Sequence, residues 1–286
     1  MRTIKTNPGI GDACWLFQKL INSGEKFHWQ IHDGKPQRGK QIFDLLPQIT
    51  ASCEYKPGLQ YFVIKPNNMA RHINMWKAIG QQDFSLSANE HLEAGRRIET
   101  FLPDLSTSYE LPFQTQQWEQ EVKERFTAGP YIGIYASAYS TARNWGFWAE
   151  DGWLKLIQLV KSLIPEATFV LIGAEWDAEL AGNLRNLLQK HHIAYISTIG
   201  QPLGYVIEMM KRLDYGFYFP SGLGILSGLL HRPSTMFYPQ KDLPRLPRTW
   251  CDPALIESDT FKECFFCTPE QIFQWVKDVY KLDQKI

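Results

Sequence analysis

Apolar residues in the second half of this chain form short unbroken runs, separated by segments in which they recur at helical spacing. Tyr131–Ala136 is a run of strand type, and Trp153, Leu154, Ile157, Val160, Leu163 and Ile164 then share one helical face until Pro165 ends the helix. Thr168–Gly173 predicts a second strand, Leu180, Leu184, Leu187 and Leu188 a second helix, and Ala194–Ser197 a third strand. A helix over about Tyr205–Lys211 follows. Tyr215–Leu230 (YGFYFPSGLGILSGLL) reads as a buried strand, a tight Gly/Ser turn and an apolar helix, and Ser234–Tyr238 as a fifth strand. Strands alternating with helices over short connections predict a parallel sheet covered on both faces. Ligands of such sheets sit beyond the carboxyl ends of the strands.

The first half is less regular. Met1–Lys5, Phe27–Ile31 and Tyr61–Ile64 read as strands. Gly9–Asp12 is a turn feeding a helix with Ala13, Leu16, Phe17 and Leu20 on one face. Ile42–Pro47 and Arg97–Pro103 read as helices stopped by proline. The polar segment Gln114–Thr127 reads as a linker, which divides the α/β chain into domains 1–125 and 126–286. Thr268-Pro-Glu-Gln271 is a capping box with proline at the first helical position, and it opens a last helix carrying Ile272, Phe273, Val276 and Tyr280.

Composition narrows the function classes. The 286 residues carry 30 basic and 30 acidic side chains, so no charge excess points to nucleic acid. No segment is long and apolar enough to span a bilayer, and the N-terminal residues lack a signal-peptide core. Five cysteines, an odd number, fit a reducing compartment, so a cytoplasmic protein is expected. Ten tryptophans suit sugar or base stacking, or simply cores.

The turn at 220–224 carries the first chemistry. A helix that starts on Ser221, Gly222, Leu223 and Gly224 points backbone N–H groups without helical partners out of its N-terminus, where they and the helix dipole favour a phosphate. The alternative is a helix packed on a sheet, with glycines for close approach. Ser137, just after a strand, can offer a hydroxyl or amide to a phosphate, or is an ordinary loop serine. Arg143 is a bidentate phosphate clamp or a solvated surface arginine. Glu175 can accept hydrogen bonds from ribose hydroxyls, or it is a surface glutamate opening a helix.

Two other patterns compete. Gly222–Ser227 nearly spells the dinucleotide fingerprint, with Asp242 about twenty residues on, which allows an NAD-dependent oxidoreductase; Ser227 stands where the third glycine belongs. Cys251, Cys264 and Cys267 include a C-x-x-C pair, and a structural metal there needs a fourth ligand such as His231.

Several short motifs, in order, resemble glycosyltransferase family nine, the ADP-heptose type with the GT-B fold. Gly9–Asp12 (GIGD) is similar to the family's Gly-Asp turn, and Trp148–Trp153 (WAEDGW) to its Trp-Pro-x-x-x-Trp segment. Phe169–Glu175 (FVLIGAE) resembles the strand and glycine turn that follow, and Gly200–Leu203 (GQPL) the short loop beyond. Pro220–Ile225 (PSGLGI) falls where the family has Asp-Ser/Thr-Gly-x-x-His. Pro220 and Ile225 thus replace an Asp and a His, and the family's basic residue before the first tryptophan is missing, with Arg143 the nearest substitute. The resemblance implies two Rossmann-like domains whose parallel sheets face a central cleft.

It also implies an inverting transfer of sugar from a nucleotide diphosphate sugar, bound by the C-terminal half, to a saccharide or other hydroxyl acceptor in the N-terminal half. Asp12 is then the catalytic base; from position alone it is a helix N-cap. The leaving diphosphate would be held by Ser221, Gly222, Leu223 and Gly224, with Arg143, Ser137 and Glu175 as further donor contacts. No acidic pair of the DxD kind stands at a strand end, so no metal and no cofactor are expected. Acceptors in the resembled family are mostly lipopolysaccharide-core sugars. The losses at Pro220 and Ile225 keep a second expectation open, a binding or scaffold protein that retained the fold without the chemistry.

Overall fold

A computed structural model describes residues 2–6, 9–24, 27–33, 38–47, 51–57, 88, 91–92, 94–136, 148–219, 221–238, 247–265 and 267–285. The chain divides into two compact units, Met1–Gln114 with Leu243–Asp252, and Thr115–Asp242 with Pro253–Ile286.

The first unit holds a parallel sheet of three described strands, ordered β1 (Arg2–Thr6), β2 (Phe27–Asp33), β3 (Ala51–Pro57). Helix α1 (Ile10–Leu20) connects β1 to β2 and packs against α2 (Arg38–Asp44). Ala13, Leu16, Phe17 and Leu20 are buried, as the spacing predicts, but so are Trp15, Gln18 and Lys19 on the other side. The helix is enclosed because later chain covers its outer face. Lys19 Nζ donates to Thr107 Oγ1 at 2.7 Å and to the Glu99 carbonyl at 3.3 Å. Gln18 Nε2 donates to the Trp250 carbonyl at 3.0 Å, in the short helix α3 (Pro247–Trp250). Arg97 donates to the carbonyls of Arg248 and Cys251 and pairs with Glu99. The helix expected over Arg97–Pro103 is a single 3-10 turn, Ile98–Thr100, and Leu102 takes a left-handed φ of 47° just before Pro103. The predicted strand Tyr61–Ile64 lies outside the described residues.

The second unit is a six-stranded parallel sheet in the order β6-β5-β4-β7-β8-β9. Its strands are β4 (Tyr131–Tyr135), β5 (Thr168–Leu171), β6 (Tyr195–Ser197), β7 (Tyr215–Tyr218), β8 (Ser234–Tyr238) and β9 (Phe261–Phe265). Five of these follow the apolar runs in the sequence. The edge strand β9 (FKECF) was not legible, because one neighbour leaves it half polar. The expected linker instead forms a 3-10 turn, Gln116–Trp118, and helix α4 (Glu119–Arg125), packed on α7 (Leu203–Met210). The other helices are α5 (Glu150–Leu163), α6 (Ala178–Lys190), α8 (Gly222–Leu229), α9 (Pro253–Glu257), α10 (Pro269–Trp275) and α11 (Leu282–Lys285). The predicted capping box at the start of α10 is present, with Thr268 Oγ1 accepting from Gln271 N–H and Gln271 Oε1 from Thr268 N–H.

Aromatic side chains fill the core between this sheet and its helices. Trp153 of α5 meets Phe219 and Phe237 edge-on, with ring centroids 5.5 Å apart in both pairs. Gly133 and Gly216 lie side by side on β4 and β7, and the Tyr218 ring occupies the groove they leave; a Cβ on Gly216 would fall 2.2 Å from that ring. Trp15, Trp29, Trp153 and Trp250 are all buried, so these four serve packing rather than an exposed stacking platform. No described helix is long and apolar enough to cross a membrane.

Candidate functional site

From β4 the chain moves outward to β5 and β6, then returns to place β7 on the other side of β4. The β4/β7 boundary is therefore the point where strand order reverses, the place at which open parallel sheets bind their ligands. The register pairs Tyr135 with Tyr218 at those ends. The connection after β4 contains Ser137 and Arg143, which lie outside the described residues. The connection after β7 delivers Ser221 and α8, so the turn singled out from sequence stands at the reversal point.

The start of α8 combines both readings of its glycines. Ser221 is the N-cap, extended at φ −136° and ψ 179°, and its Oγ accepts the Gly224 N–H at 3.5 Å. The first intrahelical bond runs from Ile225 N–H to the Ser221 carbonyl, at 2.9 Å. Gly222 and Leu223 therefore have no acceptor within the helix for their amides, whereas the Gly224 amide is already directed at Ser221. A Cβ on Gly224 would fall 2.7 Å from the Phe219 carbonyl, so that glycine serves packing. The Gly224 amide is thus directed at Ser221 and its missing Cβ leaves room for the Phe219 carbonyl. Gly222 and Ser221 are half-buried, Leu223 and Ile225 buried.

One strand outward from β4, the connection after β5 forms a 3-10 turn over Glu175–Asp177. Glu175 is exposed, while Asp177 is buried and its Oδ2 accepts Ala174 N–H at 2.8 Å. The next connection closes against this turn: Gly200, at φ +77°, donates to the Gly173 carbonyl at 3.3 Å. Thr198 Oγ1 donates to the Leu171 carbonyl at 3.1 Å. Any Cβ on Gly200 would approach the Glu175 side chain to 3.5 Å, so Glu175 stands over the Gly200 loop. Sequence reasoning singled out Glu175 and missed Asp177, although a carboxylate three residues beyond Ala174 is itself a turn signal.

Trp148 is a further anchor of this end. Its Nε1 donates to the Cys267 carbonyl at 3.1 Å, and its ring meets Trp153 and Phe237, each at 5.2 Å. Gly152 makes room for it, since a Cβ there would lie 2.4 Å from Trp148 Cβ. Phe237 and Cys267 are remote in sequence, so no local pattern announces this contact.

Asp12 belongs to the first unit. The N-cap of α1 is Gly9, whose carbonyl accepts Ala13 N–H at 3.0 Å, so Asp12 is not the cap. It sits in the first helical turn, half-buried, at the positive end of the helix dipole. Its charge is felt nearby: burial first, and the Asp12 carboxylate second, push the Cys14 thiol up.

The cysteines proposed as metal ligands are divided, Cys251 in one unit and Cys264 with Cys267 in the other. Among the described residues, no group of three or more His, Cys, Asp or Glu side chains is arranged to hold a metal ion. The residue at the third fingerprint position, Ser227, is buried and bonds Ser234 Oγ at 3.2 Å.

The sequence matches no protein-family model and no curated protein. The structure is similar over the whole chain to several solved ones. E. coli ADP-heptose LPS heptosyltransferase II superposes with a TM-score of 0.62 at 13% identity, covering 100% of this chain and 99% of that one. The family 9 glycosyl transferase of Veillonella parvula DSM 2008 gives 0.64 at 11%, covering 100% and 98%. E. coli heptosyltransferase WaaC with ADP gives 0.58 at 14%, covering 100% of both. This chain has the α/β GT-B fold of these proteins, as its motifs led us to expect.

Proposed function

We propose that this chain is a glycosyltransferase that moves a sugar from a nucleotide diphosphate sugar to a hydroxyl acceptor, with inversion and without a metal, in the cytoplasm. The observation that carries the proposal is the start of α8, with two N-terminal amides, at the strand-order reversal of a sheet whose fold is that of heptosyltransferases. The relatives in fold include one solved with ADP, which supports a nucleotide diphosphate as the donor's leaving half.

In this proposal the acceptor oxygen attacks the anomeric carbon as its proton passes to the Asp12 carboxylate. The bond from that carbon to the diphosphate oxygen breaks, and the nucleoside diphosphate leaves carrying the electron pair. The amides of Gly222 and Leu223 stabilise the growing charge. The Ser221 hydroxyl, which accepts from Gly224, keeps its own proton to donate to a phosphate oxygen. Ser137 and Arg143, on the connection after β4, are proposed phosphate contacts, and Glu175 a ribose contact. The donor belongs to the C-terminal unit and the acceptor, a saccharide such as a lipopolysaccharide-core sugar, to the N-terminal one.

Asp12→Ala is expected to lower transfer by about 10²–10⁴-fold, the usual contribution of a general base, while a thermal-shift titration with ADP, UDP or GDP remains unchanged. Unchanged turnover removes Asp12 from the mechanism, and no shift with any nucleotide diphosphate overturns the donor assignment. A second proposal, a binding protein without chemistry, draws on the buried Ile225 in place of the family's His. It expects nucleotide to bind and no nucleotide to be released from any donor sugar. A nicotinamide enzyme is less well supported, since the glycine turn follows the fourth described strand of its unit rather than the first, and Ser227 is engaged in packing.

A further inference from the structure

The connections that leave β5 and β6 are tied to each other. After β6, Thr198 donates both its N–H, at 2.9 Å, and its Oγ1 hydroxyl, at 3.1 Å, to the Leu171 carbonyl that ends β5. The Gly200 N–H then donates to the Gly173 carbonyl at 3.3 Å. Gly173 has no room for a side chain, since a Cβ there would fall 2.7 Å from Ile199 Cδ1 and 3.0 Å from Asp177 Oδ2. Asp177, which is buried, closes the turn that follows. Its Oδ2 accepts the Ala174 N–H at 2.8 Å, and its own N–H donates to the Ala174 carbonyl at 2.9 Å. Glu175 lies inside this closed turn and is exposed, with its Cγ 3.5 Å from the place a Cβ of Gly200 would take.

We propose that Asp177 is a positioning residue for the donor's ribose: it fixes the turn that presents the Glu175 carboxylate to the vicinal 2′- and 3′-hydroxyls, and through Glu175 the protein selects its nucleotide by that diol. This rests on the nucleotide diphosphate donor and the Glu175 contact proposed above, and it adds the group that makes the contact selective. An ionised carboxylate only accepts hydrogen bonds, so it pairs with two hydroxyl donors and repels phosphate. A glutamate on a loose loop would lose backbone as well as side-chain freedom on gripping a sugar, and that loss weakens binding. Here the two Ala174–Asp177 bonds and the Gly200–Gly173 bond fix the backbone before any ligand arrives. Asp177 acts from its buried place behind the turn, without touching the nucleotide.

The test is calorimetric titration of the full-length protein with ADP, UDP and GDP, each beside its 2′,3′-dideoxy counterpart. The unaltered chain is expected to bind its preferred ribonucleotide about 10–100-fold more tightly than the dideoxy form, the range set by hydrogen bonds to a charged group. Glu175→Ala and Asp177→Ala are each expected to abolish most of that ratio while dideoxy affinity stays at the parent value. Asp177→Asn, which keeps an oxygen for the Ala174 N–H, is expected to retain it. Destabilisation alone lowers both affinities together and leaves their ratio where it was, so the ratio separates positioning from mere structural support. Equal affinities for the two forms in the unaltered chain, a parental ratio in Asp177→Ala, or a lost ratio in Asp177→Asn overturns the proposal. Failure of every nucleoside diphosphate to bind, with or without the diol, overturns the donor reading beneath it.

Discussion

Gly204 shows how much one missing methyl group decides. It lies on α7 directly beneath Trp118, and a Cβ there would fall 2.0 Å from the indole ring. Gly204→Ala is therefore expected to push Trp118 off the helix and cost about 1–3 kcal/mol, the usual penalty for overpacking. Urea unfolding followed by circular dichroism measures that loss; a variant as stable as the parent shows that the contact is dispensable. The same scale explains what the 220–224 turn revealed. Its glycines were legible as a close-approach signal, but sequence does not distinguish a ligand from a carbonyl. Gly224 approaches the Phe219 carbonyl. Asp12 was similarly ambiguous, and only the position of Gly9 as the cap removed the capping alternative.

Helix α4 illustrates the element scale. Its sequence, EQEVKER, buries only Val122, which is why it read as a linker. Besides the Trp118 contact with Gly204, a polar bond between residues remote in sequence holds the region to α7. Thr115 Oγ1 donates to Glu208 Oε2 at 2.6 Å, and Lys211 Nζ reaches the same oxygen at 2.8 Å. Arg125 adds a bond to the Ser197 carbonyl at 2.8 Å. Burial alone would raise the Glu208 carboxyl, but the bonds from Lys211 and Thr115 outweigh it and hold the group below the ordinary carboxylate range. The unfolded chain thus takes up this proton first as pH falls. Its contribution to stability is complete above the ordinary carboxylate value and disappears as pH drops through the folded one. Unfolding midpoints measured from neutral to acid pH should fall more steeply for the parent than for Glu208→Gln; parallel curves contradict this assignment. Parallel strands buried on both faces announce themselves as apolar runs, and β4, β5 and β7 did so. A helix secured by side chains from residues 115 and 208 has no such local signature.

Whole-molecule organisation was the least legible, because it depends on chain that returns. Residues 243–252 complete the first unit from within the second half of the sequence. Gln18 secures this strap through the Trp250 carbonyl, in a buried bond. Gln18→Leu leaves that carbonyl without its donor, at a cost of about 1–3 kcal/mol. Limited proteolysis should then cut faster within residues 243–252, and an unchanged rate argues against Gln18 as the fastener. No periodicity links position 18 to position 250, so this fastening was invisible until the fold was known.

The returning strap also has a consequence for biosynthesis. While the chain is being made, the N-terminal unit cannot be finished until residue 252 has emerged from the ribosome, by which point β4 to β8 of the other unit are already outside. The Trp250 partner of Gln18 thus arrives late, well after Glu99 and Thr107, which cover Lys19. Vectorial order is reversed: the later sheet has the chance to consolidate first, and the earlier one waits, with chaperones the natural guardians of the interval.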